Sequence, residues 1–107
     1  MKNRILRLLN FNNVIARSAG VSLAIVNNVV DDEIKKSVSA LVDDDRSIWG
    51  PDLVCHFAVC ALHIVYGEDY KKLCRSSFDA ERVERFLKNR EVFETVALAA
   101  KQFEKND

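Results

Sequence analysis

Residues 15–26 read IARSAGVSLAIV, and the fold turns on how that run is divided. An Ala-Gly-Val-Ser step stands between two short apolar-periodic segments. Gly20 is the residue type that best tolerates a left-handed turn, and Ser22 is a good N-cap for a helix starting just after it. Divided there, the run predicts one short helix over about 12–19 and another over about 22–30. Ile15, Ala16 and Ala19 then face inward on the first, Gly20 and Val21 form the corner, and Val26 and Val29 anchor the second. Small residues beside a glycine corner are what two closely crossing helices need. A pair held at that angle can place its second helix in the major groove of DNA.

The flanking sequence is helical too. Glycine and proline number three and one, alternating β-branched runs are few, and windows of helical period recur along the chain. A first helix is predicted over about 3–10, weakened by Asn10, Asn12 and Asn13, which compete for backbone hydrogen bonds. Asp31 or Asp32 caps a helix over about 32–42, and DDDRSIWG at 43–50 reads as a loop. Gly50-Pro51-Asp52 reads as a helix start, and the run it opens, about 51–66, is apolar nearly all round. It is the expected central helix of the fold. Gly67 ends it, a short helix comes next at about 68–75, and Ser77 or Asp79 starts a last helical region over about 79–104, with a break at Asn89. The expectation is an all-α, compact multi-helix bundle of about six or seven helices, forming one domain over 1–107. Within it, 1–42 would be a helix-turn-helix part and 51–107 a core bundle able to form a homodimer.

Composition bounds the function. Apolar residues make up 49% and charged residues 30%, so the chain is globular. Lys+Arg and Asp+Glu number 16 each, which argues against a strongly basic nucleic-acid coat protein. The charges are segregated, however. Lys2, Arg4, Arg7 and Arg17 lie in a first twenty residues without acid, and Asp31-Asp32-Glu33, Asp43-Asp44-Asp45 and Asp52 crowd the middle. Three cysteines, an odd number in apolar surroundings, read as reduced thiols. No apolar run is long enough to span a bilayer, and the first residues lack the apolar core and cleavage site of a signal peptide. A cytoplasmic protein is expected.

The run IARSAGVSLAIVNNVV at 15–30 resembles the DNA-binding helix-turn-helix of the lactose-repressor family, whose pattern has Ala and Arg before an Ala-Gly-Val-Ser corner. The resemblance implies a DNA-binding regulator. It places base-reading positions after Ser22 at Leu23 and Ala24, with Asn27 and Asn28 further along, and Lys2, Arg4, Arg7 and Arg17 on phosphates. This sequence departs from the pattern in three respects. Leu23 and Ala24 offer only apolar contact to a thymine methyl. Residues 23–33 hold no Lys or Arg, and Asp31-Asp32-Glu33 sets carboxylates where phosphates would lie. The family's hinge and sugar-binding domain have no counterpart here.

Two other groupings carry chemistry. His56, Cys60 and His63 share one face of the central helix with Asp52 a turn earlier, and Cys74 is a candidate fourth zinc ligand. Without CxxC or HExxH they read as the polar edge of a buried helix. A Cys60–His56 nucleophile pair lacks a third group to orient it. No enzyme, metal or cofactor is expected. The carboxylates Asp31, Asp32, Glu33, Asp43, Asp44 and Asp45, with Trp49 beside them, suit a basic partner surface. That is the physics of a toxin-immunity or antitoxin protein occluding a toxin or nuclease. Two readings result. The helix-turn-helix regulator comes first, because the corner pattern is the only specific signal, and the protein-binding inhibitor is the alternative.

Overall fold

Val14–Val26 form one unbroken helix, α2, so the corner expected at Gly20 is absent. Gly20 has another reason to be glycine. A Cβ there would stand 3.0 Å from Leu8 Cβ and 3.2 Å from both Leu9 Cδ2 and the Leu9 backbone nitrogen. The missing side chain lets the first helix, α1 (Lys2–Leu9), cross α2 in direct contact. The two helices expected over 12–19 and 22–30 are therefore one, and it stops earlier, at Asn27-Asn28. Asn28 takes the left-handed conformation, with φ of 48°. Its N–H donates to the Ile25 carbonyl, and that of Val29 to the Ala24 carbonyl at 3.0 Å. This is the paired bonding of a Schellman stop, with asparagine in glycine's usual place. At the other end Asn13 is the N-cap, its side chain accepting from the N–H groups of Ile15 and Ala16.

The structure, a computed structural model, describes residues 1–104. After α2 come α3 (Asp32–Ala40), a 3₁₀ turn (Leu41–Asp43) and a small hairpin of β1 (Ser47–Trp49) and β2 (Asp52–Leu53). The chain continues through α4 (Val54–Ile64), α5 (Tyr70–Leu73), α6 (Ser77–Lys88), α7 (Glu91–Leu98) and a closing 3₁₀ turn (Ala99–Phe103). The all-α, multi-helix reading holds, and the predicted break at Asn89 falls between α6 and α7. Asp31 caps α3, accepting from the Ile34 N–H. Ser76, rather than Ser77 or Asp79, caps α6.

Gly50-Pro51 does not open the central helix. It forms the tip of the hairpin, with Gly50 at φ 52° and Trp49 paired with Asp52, and α4 begins only at Val54. Leu53 at the N-cap has no side-chain oxygen to offer, so the first N–H groups of α4 find acceptors elsewhere. That of Leu53 donates to His56 Nδ1 at 3.1 Å, that of Val54 to the Arg46 carbonyl at 3.1 Å, and that of Cys55 to the Asp44 carbonyl at 2.9 Å. The acidic loop thus holds the helix start with its backbone.

α4 is the buried centre, as its all-round apolarity predicts. Val54 to Leu62 are all buried, and the helix packs against α2, α3, α6 and the first 3₁₀ turn. Phe57, at 0% exposure, sets its ring edge-on to Phe86 and Phe93, with centroids 5.1 and 5.4 Å away. α2 packs in turn on α1, α4 and α7, and one core cluster runs from Ile5 to Ala100. Residues 1–42 therefore share their core with the described residues from 51 onward. The radius of gyration, 12.4 Å, is close to the roughly 13 Å expected of a single domain this long.

Candidate functional site

The residues placed on DNA by the helix-turn-helix resemblance are not gathered on one exposed surface. Ser22 and Ala24 are fully buried and Leu23 nearly so, in the half of α2, Ser18 to Ile25, that is buried on every side. The Ser22 hydroxyl finds no hydrogen-bond partner among the described residues. Asn27 and Asn28 are exposed, but they terminate the helix: the Asn27 amide donates to the Leu23 carbonyl at 2.9 Å, and Asn28 supplies the left-handed step.

The segregated charges largely meet each other. Lys2 Nζ lies 3.1 Å from Asp31 and 2.9 Å from Glu33. Arg4 pairs with Glu104 at the far end of the chain. Arg17 reaches Asp44 at 3.0 Å, and Arg46 joins the same carboxylate at 2.9 Å. Lys2 therefore staples α1 to α3, Arg4 ties α1 to the residue after the closing 3₁₀ turn, and Arg17 ties α2 to the acidic loop. What stays outward is Asp32 at the start of α3 and Asp43 and Asp45 after it, all exposed and in no ion pair with any described residue. Between them runs a groove of about 490 Å³ along α1 and α3, lined by Leu6, Leu9, Glu33, Lys36, Ala40 and Leu41.

The Arg46 guanidinium, helped by Arg17, holds the Asp44 carboxyl down at about 2, against burial that would raise it. A carboxyl depressed on folding adds stability above its unfolded value near 4 and loses it as pH falls toward 2. The shift, discounted because Arg46 is largely in water, corresponds to about 1–2 kcal/mol. Asp44→Asn is expected to lose that amount at pH 7 and to show a flatter decline between pH 4 and 2. Urea midpoints at pH 7, 4 and 2 check this; parallel acid limbs for the two proteins would refute it.

The histidine–cysteine face of α4 looks onto α5 and α6. His63 bonds the Glu68 carbonyl and stacks edge-on against Tyr70. Cys60 is buried against the Val83 carbonyl, and burial pushes its thiol far up. His56 is the central member. Its Nδ1 accepts from the Leu53 N–H, so the ring proton sits on Nε2 and is donated to Asp79 Oδ1 at 2.7 Å. Cys55, His56 and Asp79 bring ligand-type atoms within 4.8 Å of one another, beside a cavity of about 10 Å³ also lined by Cys74 and Arg75. Asp52 lies in β2, bonded instead to Arg82 and Trp49, so it does not join the helix face.

That cluster is fully engaged. Both imidazole nitrogens have partners, leaving no lone pair to deprotonate Cys55. Coordination through Nε2 would put a proton on Nδ1, facing the Leu53 N–H donor. Arg75 stands 3.6 Å from the Cys55 sulfur, and burial pushes that thiol up to about 11. Burial also raises the Asp79 carboxyl, but His56, Ser76 and Arg75 outweigh it and hold it below its ordinary value. The arrangement joins α4 to α6; it holds no poised nucleophile. The sequence flagged His56 but not its partner, because Asp79 looked like an ordinary first-turn acid.

Trp49 does not stand with the carboxylate clusters. Its indole N–H donates to Asp52 at 2.9 Å, its ring meets Phe57 edge-on, and it is 44% exposed. Among the described residues no helix is long and apolar enough to cross a membrane. Compared with known proteins, the chain matches no family model, no curated protein and no solved structure.

Proposed function

We infer that this chain is a non-enzymatic interaction protein that receives a basic protein partner along α1 and α3, the role expected of a toxin- or nuclease-occluding inhibitor. One observation carries the reading: Asp32 at one end of α3, and Asp43 and Asp45 at the other, project into water without an intramolecular cation among the described residues. Elsewhere in the same clusters, Asp31, Glu33 and Asp44 are ion-paired. The groove between the two ends offers apolar contact from the half-buried Leu6, so charge steers the partner and burial retains it. The engaged state of His56, Cys55 and Asp79 supports a role without catalysis. For the regulator reading, the burial of Leu23 and Ala24 and the ion pairs of Lys2, Arg4 and Arg17 leave little to meet bases or phosphates.

The test titrates the purified protein with a Lys/Arg-rich helical peptide and, separately, with random-sequence duplex DNA, at low and moderate salt. Salt-sensitive peptide binding is expected, weakened about tenfold or more by Asp32→Asn, Asp43→Asn and Asp45→Asn together. A control variant neutralises three exposed carboxylates elsewhere, Glu81→Gln, Glu91→Gln and Glu94→Gln. Equal loss in that control, or a preference for duplex DNA, overturns the reading.

A further inference from the structure

The groove between β1 and α6 carries cations that the fold leaves unneutralised. It measures about 430 Å³ and is lined by Trp49, Arg82, Arg85, Phe86, Lys88 and Asn89, among others. Arg82, Arg85 and Lys88 recur every three residues and so share one side of α6. Asp52 holds two parts of this wall in place: one carboxylate oxygen takes both bonds from Arg82, at 2.9 and 2.7 Å, and the other takes the Trp49 indole N–H. The Trp49 ring is thus fixed at the groove while still 44% exposed. Arg85 and Lys88 are exposed and form no ion pair with any described residue.

We propose that this groove binds single-stranded nucleic acid, with a base stacked on the Trp49 indole and its flanking phosphates on Arg85 and Lys88. A fixed aromatic platform beside a row of cations is the arrangement that grips an unpaired strand without reading its sequence. An acidic peptide would satisfy Arg85 and Lys88 but leave the indole without a planar partner. In a duplex the bases are stacked on each other and cannot reach the ring. The groove's volume falls within the range of sites for small ligands, enough for one nucleotide unit at a time. This site shares no residue with the acidic surface on α3 and stands or falls independently of it.

Trp49 is the only tryptophan of the chain, so its fluorescence reports occupancy of the groove directly. The protein is titrated with an oligothymidylate of roughly eight nucleotides at low and moderate salt. Saturable quenching is expected, weakening about tenfold or more as salt rises. Arg85→Gln with Lys88→Gln, both surface changes, is expected to weaken binding about tenfold or more. The charge-conserving pair Arg85→Lys and Lys88→Arg retains most of it. With a labelled oligonucleotide read by anisotropy, Trp49→Ala is expected to cost about tenfold as well. Absence of quenching at low salt, quenching unchanged in the double glutamine variant, or equal competition by an oligoglutamate of the same charge overturns the proposal.

Discussion

Phe57→Ala is expected to destabilise the protein by about 3–5 kcal/mol, a large part of the roughly 5–15 kcal/mol that holds a domain of this size folded. Phe57 is fully buried at the end of the first turn of α4. Its ring meets three others edge-on: Phe86 at 5.1 Å, Phe93 at 5.4 Å and Trp49 at 6.2 Å between centroids. Those three lie on α6, α7 and β1, so one side chain joins the hairpin and two helices to the central helix. Alanine removes the buried area, leaves a cavity that neighbours on separate elements cannot readily fill, and abolishes all three ring contacts together. Urea denaturation followed by circular dichroism measures the loss. Trp49 fluorescence, followed in parallel, should show the hairpin unfolding in the same transition. A cost below about 1 kcal/mol would mean that α4 is not the centre of the core.

Phe57 was legible from the sequence because burial on every face leaves its own signature. A run from Leu53 to Val65 interrupted only by His56, His63 and Cys residues cannot be a surface helix. Helical period likewise placed α1, α3 and the α6–α7 break within a few residues. Two local misreadings have a common origin: glycine and proline mark several kinds of place. Gly20 serves a close approach to Leu8 and Leu9, which no neighbour in sequence announces, whereas a glycine corner would be a local event. Gly50-Pro51 suits a helix start and a hairpin tip equally well. The choice went to the hairpin because loop carbonyls at Asp44 and Arg46 supply acceptors that a side-chain cap would otherwise provide. The charge segregation was visible, but its meaning was not. A basic head and an acidic middle read as binding surfaces until α1, α2 and α3 are brought together and Lys2, Arg4 and Arg17 find carboxylates of their own. Asn27-Asn28 carried a readable stop signal, since asparagine is second to glycine in the left-handed conformation, but the same two residues also fit base-facing positions of a recognition helix.

Asp79→Ala is expected to cost about 2–3 kcal/mol, more than a mostly water-exposed ion pair would. Asp79 lies at the start of α6, nearly buried, and accepts the Nε2 proton of His56, which is itself 1% exposed. Removing the carboxylate leaves that N–H buried without an acceptor, because the ring cannot turn: its Nδ1 is held by the Leu53 N–H at the start of α4. The penalty therefore combines a lost bond with an orphaned donor at the joint between α4 and α6. The cap of α6 survives the change, since the Ser76 hydroxyl accepts from the backbone N–H of residue 79, which alanine keeps. The conservative Asp79→Asn keeps an acceptor for His56 and should cost about 1 kcal/mol. The decisive comparison is a double-mutant cycle with His56→Phe. Removing both partners takes away the orphan along with the bond, so the double variant should lose at least about 1 kcal/mol less than the sum of the single losses. Additive losses would show that the two side chains act separately. A coupled result would locate the stability of the α4–α6 contact in a polar pair whose ring nitrogens are both taken up by the fold.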